Sequence, residues 1–220
     1  MSPTTNHQSP ITLSDLWIVV PVRGIAEGKS RLAGILDPTA RARLNERLLS
    51  HTLKVIGEGR GDLRSCVVVS PCSMTREMAA GLGTAIVDEG EEASGLNTAV
   101  ALGRSYARRN GARRVLVLPC DLPYLTAEAL AAVATQGGTQ RHLLIAPDRQ
   151  GTGTNALQVS ALETFEFRFG EQSFARHMAL AVESGWSATV CRRSELEFDL
   201  DTPEDFERWT EARREAEQYR

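Results

Sequence analysis

The sequence predicts a single α/β domain: a mostly parallel, twisted sheet flanked by helices, with an antiparallel addition at one edge. Short apolar runs rich in β-branched residues recur as LWIVVPV, SCVVVS, TAIV, RRVLVLP, HLLIAP, NALQV, SATVC and LEFDL, each of strand length. Between the early runs lie segments of helical periodicity, and strand–helix alternation implies right-handed crossovers between parallel strands. After Asp148 the rhythm changes. Short strands then follow one another with one helix over 174–184 and a charged terminal helix over 203–217, and this predicts the antiparallel addition.

The first apolar run, LWIVVPV, leads straight into the glycine-bearing stretch PVRGIAEGKSRL. Next, DPTARARLNERLLSHTLKVIGEG reads as a helix, with Asp37 as its cap, Pro38 in the first helical position and Gly57 as its stop. Leu44, Leu48, Leu49, Leu53 and Ile56 share one face of it. Shorter helices are predicted over 73–82, 97–109 and 126–135, the last capped by Thr126. LEFDL reads as the last strand, and TPED at 202–205 as a capping box that opens the terminal helix. Residues 1–14 have neither a basic start nor an apolar stretch, so they read as a disordered leader to one domain over 15–217.

A chain of 220 residues with 42% hydrophobic and 24% charged side chains has the composition of a soluble globular protein. Its net charge of -3 gives no general attraction to nucleic acid or to an anionic membrane, so any anion must be caught locally. No apolar run approaches the ~18 residues that a membrane-crossing helix needs. Cys66, Cys72, Cys120 and Cys191 form no C-x-x-C pair, which reads as reduced thiols in a cytoplasmic protein.

In open α/β sheets ligands sit off the carboxyl ends of the strands, so the residues that follow each strand are the candidates. After the first strand come Arg23, Gly24, Gly28, Lys29, Ser30 and Arg31, glycines together with three cations. Only three residues separate Gly24 from Gly28, one fewer than the β-phosphate cradle of P-loop enzymes requires. A solvated basic turn explains the loop equally well. After RRVLVLP comes CDLPYL, with Asp121 at the point where the chain leaves a buried strand, as a turn cap or as an Mg²⁺ ligand. In FDLDTPEDF, Asp199 and Asp201 lie two apart on the expected strand and so on one face, where like charges repel unless a cation intervenes. Thr202 already serves as the helix cap, which leaves Asp201 for another task.

Further on, APDRQGTGTNAL offers Thr152 and Thr154 beside glycines, either as uncharged donors or as a plain β-turn. FRFGEQSFARH places Gly170 before Ser173, read as the N-cap of the next helix, with Arg168 and Arg176 nearby. That is an anion pocket at a helix start or an ordinary capped amphipathic helix. In ASGLNTAV, Gly95 and Asn97 lead into a helix, with Asn97 either its cap or a ligand to base or ribose. His51 and His142 have no neighbours that would make a general base. His177, one helical turn from Ser173, is a weak candidate for contact with an anion.

Taken in order, PVRGIAEGKSRL, SGLN, LPCDLPYLT, APDRQGTGTNAL, FRFGEQSFARH and DLDTPED resemble the phospholactate and phosphoenolpyruvate guanylyltransferase family of coenzyme F-420 biosynthesis, over about 16–207. The resemblance implies a fold like that of the nucleotide-diphospho-sugar transferases, GTP as nucleotide, Mg²⁺ as cofactor and pyrophosphate as product. It makes Asp121, Asp199 and Asp201 metal ligands. Thr154, with Thr152 as fallback, would hold the acceptor together with Gly170 and Ser173. Pro21, Arg23, Gly24, Lys29, Gly95 and Asn97 would bind the nucleotide, and Lys29 and Arg31 would act in catalysis. The acceptor implied is phosphoenolpyruvate, 2-phospho-L-lactate or 3-phospho-D-glycerate.

An ionised phosphate oxygen of such an acceptor needs no general base to attack the α-phosphorus, which fits a sequence without an evident His or Cys centre. The alternatives are a nucleotidyltransferase of the same fold acting on a sugar phosphate or a molybdenum cofactor, a P-loop phosphotransferase, and a non-enzymatic nucleotide sensor.

Overall fold

Seven of the eight expected strands join one sheet in the order β3-β2-β1-β4-β6-β5-β7. The computed structural model describes residues 15–25, 28–90, 95–136 and 140–218, so the leader expected over 1–14 lies outside the described residues. The strands are β1 (Leu16–Pro21), β2 (Cys66–Ser70), β3 (Ala85–Asp88), β4 (Arg114–Val117), β5 (His142–Pro147), β6 (Thr154–Ser160) and β7 (Ser187–Val190). The helices are α1 (Pro38–Arg60), α2 (Ser73–Gly81), α3 (Leu96–Arg109), α4 (Ala127–Thr135), α5 (Ser173–Glu183), α6 (Ser194–Glu197) and α7 (Pro203–Gln218).

Strands β1 to β4 pair in parallel, as do β5 and β7, and β6 runs antiparallel between β4 and β5. The antiparallel part expected at an edge is thus one interior strand, buried along its whole length. Alternation along β1 sends Leu16, Ile18 and Val20 to the layer of α1 and α4, and Trp17 and Val19 to the layer of α3 and α5.

Glycine shapes the helix packing. Helix α1 runs through the expected stop at Gly57 and ends at Arg60, with Gly61 at φ 84 donating its N–H to Gly57 O at 2.8 Å. Gly59 lies against α4, where an added Cβ would sit 3.3 Å from Leu130 Cδ2, so this glycine permits close packing inside the helix. In α3, a Cβ at Gly103 would press on the buried Val19 and Val69. Overpacking costs about 1–3 kcal/mol, against roughly 1 kcal/mol gained in helix preference. Gly103→Ala is therefore expected to lose on the order of 1 kcal/mol in urea denaturation; a stabilised variant would contradict this packing.

LEFDL does not form the eighth strand. Ser194–Glu197 is the short helix α6, and the following residues run outside the sheet. β6 already has neighbours on both sides, and Leu200 donates its N–H to Asp121 O at 3.0 Å instead. The apolar spacing that suggested a strand reflects Leu196 and Leu200, both fully buried without a ladder.

Candidate active site

β1 has β2 on one side and β4 on the other, so the chain leaves it in both directions and a crevice opens beyond their carboxyl ends. A cleft of about 410 Å³ lies there. Pro21, Arg23, Gly24 and Lys29 line it from the β1 side, Glu89 and Gly95 from beyond β3, and Asp121 from beyond β4, with Asp201 beside it.

The loop after β1 is pinned from within and from both flanking helices. Gly28 N–H donates to Gly24 O at 3.0 Å, Asn45 Nδ2 from α1 donates to Ile25 O at 2.7 Å, and Ile25 N–H donates to Thr75 Oγ1 of α2 at 3.2 Å. The Gly28 N–H is thereby engaged. Lys29 sits in the left-handed region at φ 58, ψ 39, unusual for a residue with a side chain. Its Nζ lies 3.0 Å from Asp121 Oδ2 and 2.7 Å from Asp201 Oδ1. Burial alone would lower the pKa of Lys29, but the charges of Asp121 and Asp201 and the hydrogen bonds to both outweigh it and raise it. Arg31 is largely exposed, with Nη1 3.6 Å from Asp201 Oδ2.

Asp199 and Asp201 are not paired on one face of a strand, as the sequence suggested, because no strand forms there. Asp201 faces Lys29, whereas Asp199 Oδ1 lies 3.4 Å from Asn155 Nδ2, beside Thr154. Burial, and then the charges of Asp121 and Asp201, push the Asp199 carboxyl up to about 6. Asp121, Asp199 and Asp201 offer oxygens of the kind a hard dication takes, with an ammonium bonded to Asp121 and Asp201. Among the described residues no three acidic, His or Cys side chains form a ready-made metal site; Lys29 holds the cation position between Asp121 and Asp201. The capping box at 202–205 forms as expected, with Thr202 N–H donating to Asp205 Oδ2 at 2.9 Å and Asp205 N–H to Thr202 Oγ1 at 3.2 Å. Arg149 Nη2 bonds Asp205 Oδ1 at 3.2 Å and so ties the start of α7 to the loop after β5.

At the start of β6 the two threonines separate. Thr152 Oγ1 donates to Asp148 at 3.2 Å and closes a turn, whereas Thr154 is buried and meets Ser173 and His177. Ser173 is not the N-cap. Gln172 takes that place at φ 53, and Ser173 begins α5 with its hydroxyl turned inward. The helix start is also less open than an anion pocket requires, because Ser173 N–H bonds Gly170 O and Phe174 N–H bonds Thr152 O, both at 3.1 Å. Gly170 stands at φ 114 with open space where a Cβ would be. Arg168 is paired with Glu166 and Arg176 is exposed.

Gly95, not Asn97, is the N-cap of α3. Asn97 is held by Phe169: its Nδ2 donates to Phe169 O at 3.2 Å and its Oδ1 accepts Phe169 N–H at 2.7 Å. That amide secures the segment before Gly170 and does not line the cleft. The nucleotide-binding role expected for Asn97 thus finds no support in its contacts.

Residues 16–210 match the family described as guanylyl transferase CofC like. The chain belongs to that family. It is 38% identical over 193 residues to a phosphoenolpyruvate guanylyltransferase of Rubrobacter xylanophilus, covering 88% of this chain and 92% of that one. It is 35% identical to a 3-phospho-D-glycerate guanylyltransferase of Phenylobacterium zucineum, covering 85% and 86%. In fold it is similar to a nucleotidyl transferase from Methanothermobacter, with a TM-score of 0.61, 17% identity and coverage of 88% and 95%. This CofC-like chain is an enzyme of the nucleotidyl-transferring class.

Sequence reasoning missed several groups of the CofC-like site. Asn45 of α1, which braces the first loop, carries no motif of its own. Glu89 is buried against the cleft, where burial raises its carboxyl while the Gly95 N–H and the Arg23 charge partly offset that. Asn155 also donates to Leu196 O at 2.9 Å and so anchors the segment that carries Asp199. No local motif marks such contacts, because the partners lie 20 and 41 residues away.

Proposed function

We propose that this enzyme condenses GTP with a small phosphorylated carboxylic acid, phosphoenolpyruvate foremost, to give a diphospho-5'-guanosine adduct and pyrophosphate. The observation that carries the reading is Lys29 held between Asp121 and Asp201 on the cleft wall. The names of the relatives favour phosphoenolpyruvate, and one names 3-phospho-D-glycerate; 2-phospho-L-lactate shares the same phosphate and carboxylate. The setting is coenzyme F-420 biosynthesis in the cytoplasm.

An acceptor phosphate oxygen attacks the α-phosphorus of GTP. The new P–O bond forms as the bond from the α-phosphorus to the bridging oxygen breaks, and pyrophosphate leaves with that electron pair. The nucleophile is already ionised, so proton removal is not required. Burial and then the Asp121 charge push the Cys120 thiol up to about 12, so it offers no thiolate nucleophile to compete. Catalysis is positioning plus charge neutralisation. Arg23, Lys29 and Arg31 face the triphosphate, while the Thr154 hydroxyl orients the acceptor. Asp121, Asp199 and Asp201 would hold Mg²⁺, which when bound supplies further neutralisation of phosphate charge. Lys29 supplies a further positive charge on the same cleft wall.

Glu89 offers two acceptor oxygens to the N1–H and 2-amino groups of guanine, an edge that adenine does not present. Glu89→Gln is expected to raise KM for GTP about tenfold or more and to narrow the preference for GTP over ITP, which lacks the 2-amino group. An unchanged GTP-to-ITP ratio of kcat/KM would remove Glu89 from base recognition. The reaction class is tested with γ-labelled GTP, Mg²⁺ and phosphoenolpyruvate. Label released as pyrophosphate supports attack at the α-phosphorus, and label released as orthophosphate contradicts it.

A further inference from the structure

His177 is fully buried on α5, packed against the rings of Phe165 and Phe169 with centroids 6.0 and 4.9 Å away. Its Nε2 lies 2.9 Å from Arg168 N, a backbone donor, so Nε2 must carry the lone pair. In a neutral imidazole the proton then resides on Nδ1. Burial, and then the charges of Arg176 and Arg168, lower the His177 pKa to about 4, which keeps the ring neutral at ordinary pH. Nδ1 lies 3.2 Å from Thr154 Oγ1, and Ser173 Oγ donates to the same oxygen at 3.0 Å. Two donors fill the two lone pairs of the Thr154 hydroxyl. Its own O–H remains as a donor, and no hydrogen bond donated by it is found among the described residues.

We propose that His177 is a positioning residue: through its Nδ1–H it fixes the Thr154 hydroxyl as a donor aimed at an anionic oxygen of the acceptor. This rests on the reading that Thr154 binds the acceptor. Left to rotate, a threonine hydroxyl could equally turn its proton toward Ser173 and present a lone pair to the anion, which repels it. With both lone pairs engaged from the protein side, the hydroxyl can only donate outward. The cost of orienting it is met during folding rather than on binding. The arrangement resembles the second layer of a metal site, where an outer partner sets the tautomer and direction of the group that touches the ligand.

The test is a double-mutant cycle between His177→Gln and Thr154→Val, with KM measured separately for phosphoenolpyruvate and for GTP. Gln places its amide near the position of Nε2, so its carbonyl can still accept the Arg168 N–H, and no group stands at the position of Nδ1 to donate to Thr154. His177→Gln is expected to raise the acceptor KM about tenfold while GTP KM stays within about twofold, and to add nothing in the Thr154→Val background. Additive effects, or an acceptor KM that His177→Gln leaves unchanged, would overturn the proposal. If Thr154→Val itself leaves the acceptor KM unchanged, the acceptor-site reading fails and the proposal fails with it, an outcome distinct from the other two. Should His177→Gln not fold, His177→Asn serves. It keeps a donor toward Thr154 and gives up the acceptor for Arg168 N–H, so the acceptor KM should hold within about twofold, and a tenfold rise would overturn the proposal.

Discussion

Asp121→Ala and Asp201→Ala should each lower the rate of pyrophosphate release by a factor of about 10²–10³, the range found when one preorganised electrostatic group is removed from an active site. The fold should survive either change. Asp121 and Asp201 sit beyond the ends of secondary structure, their side chains are 26% and 40% exposed, and neither belongs to a hydrophobic cluster. Each variant leaves Lys29 with the other carboxylate, so the buried ammonium is never wholly unpaired. Circular dichroism and urea midpoints close to those of the parent protein, together with lost turnover, would place both residues in the chemistry. Turnover within about threefold of the parent would remove them from it.

Lys29→Met is the second large effect, and its signature differs. The substitution keeps most of the apolar stem but removes the positive charge between Asp121 and Asp201. Turnover is expected to fall by about 10²–10³ for loss of phosphate neutralisation. Stability should fall too, because two carboxylates then face each other across a shared gap. Removing one partner of a buried pair costs about 3–5 kcal/mol, but solvent reaches Asp201, so the expected loss is nearer 1–2 kcal/mol. A dication that takes the place of the ammonium should restore it. The Tm of Lys29→Met should therefore rise with millimolar Mg²⁺ by more than that of the parent, through linkage of binding to folding. Equal Mg²⁺ shifts in both proteins would show that Lys29 and the metal do not compete for one position.

Much of the architecture was legible, and for a physical reason. β-Branched runs at strand length, alternating with capped helices, admit few solutions, and parallel crossovers are the one that buries both faces. The interior place of β6 was not legible, because a strand buried on both faces carries no alternation to reveal its neighbours or direction. LEFDL misled because Leu196 and Leu200 are buried by packing alone, and apolar spacing does not distinguish a ladder from an extended tether. Gly57 misled because a glycine can end a helix or continue within it, and α1 stops only at Arg60, where Gly61 takes φ 84.

At the site, the general preference of ligands for the carboxyl ends of strands drew attention to Lys29 and Asp121, 92 residues apart, before any contact was known. The bond between them was invisible in sequence. So was the use of Asn97, whose place at a helix start suggested a cap or a nucleotide ligand while its amide was bound to Phe169. Ser173 was found for its position, yet its hydroxyl points into the Thr154 and His177 cluster. Residue type and spacing singled out the candidates. The hydrogen-bond partners, which decide what each group can still donate, required the fold.

Guanylyl transfer to a phosphorylated carboxylic acid is tested most directly by the mass of the product. Purified protein is incubated with GTP, Mg²⁺ and, in separate reactions, phosphoenolpyruvate, 2-phospho-L-lactate or 3-phospho-D-glycerate. A diphosphoguanosine adduct is expected with at least one of them, phosphoenolpyruvate foremost, with one pyrophosphate formed for each adduct. GTP left intact in all three reactions, or converted only to GDP and orthophosphate, would contradict it.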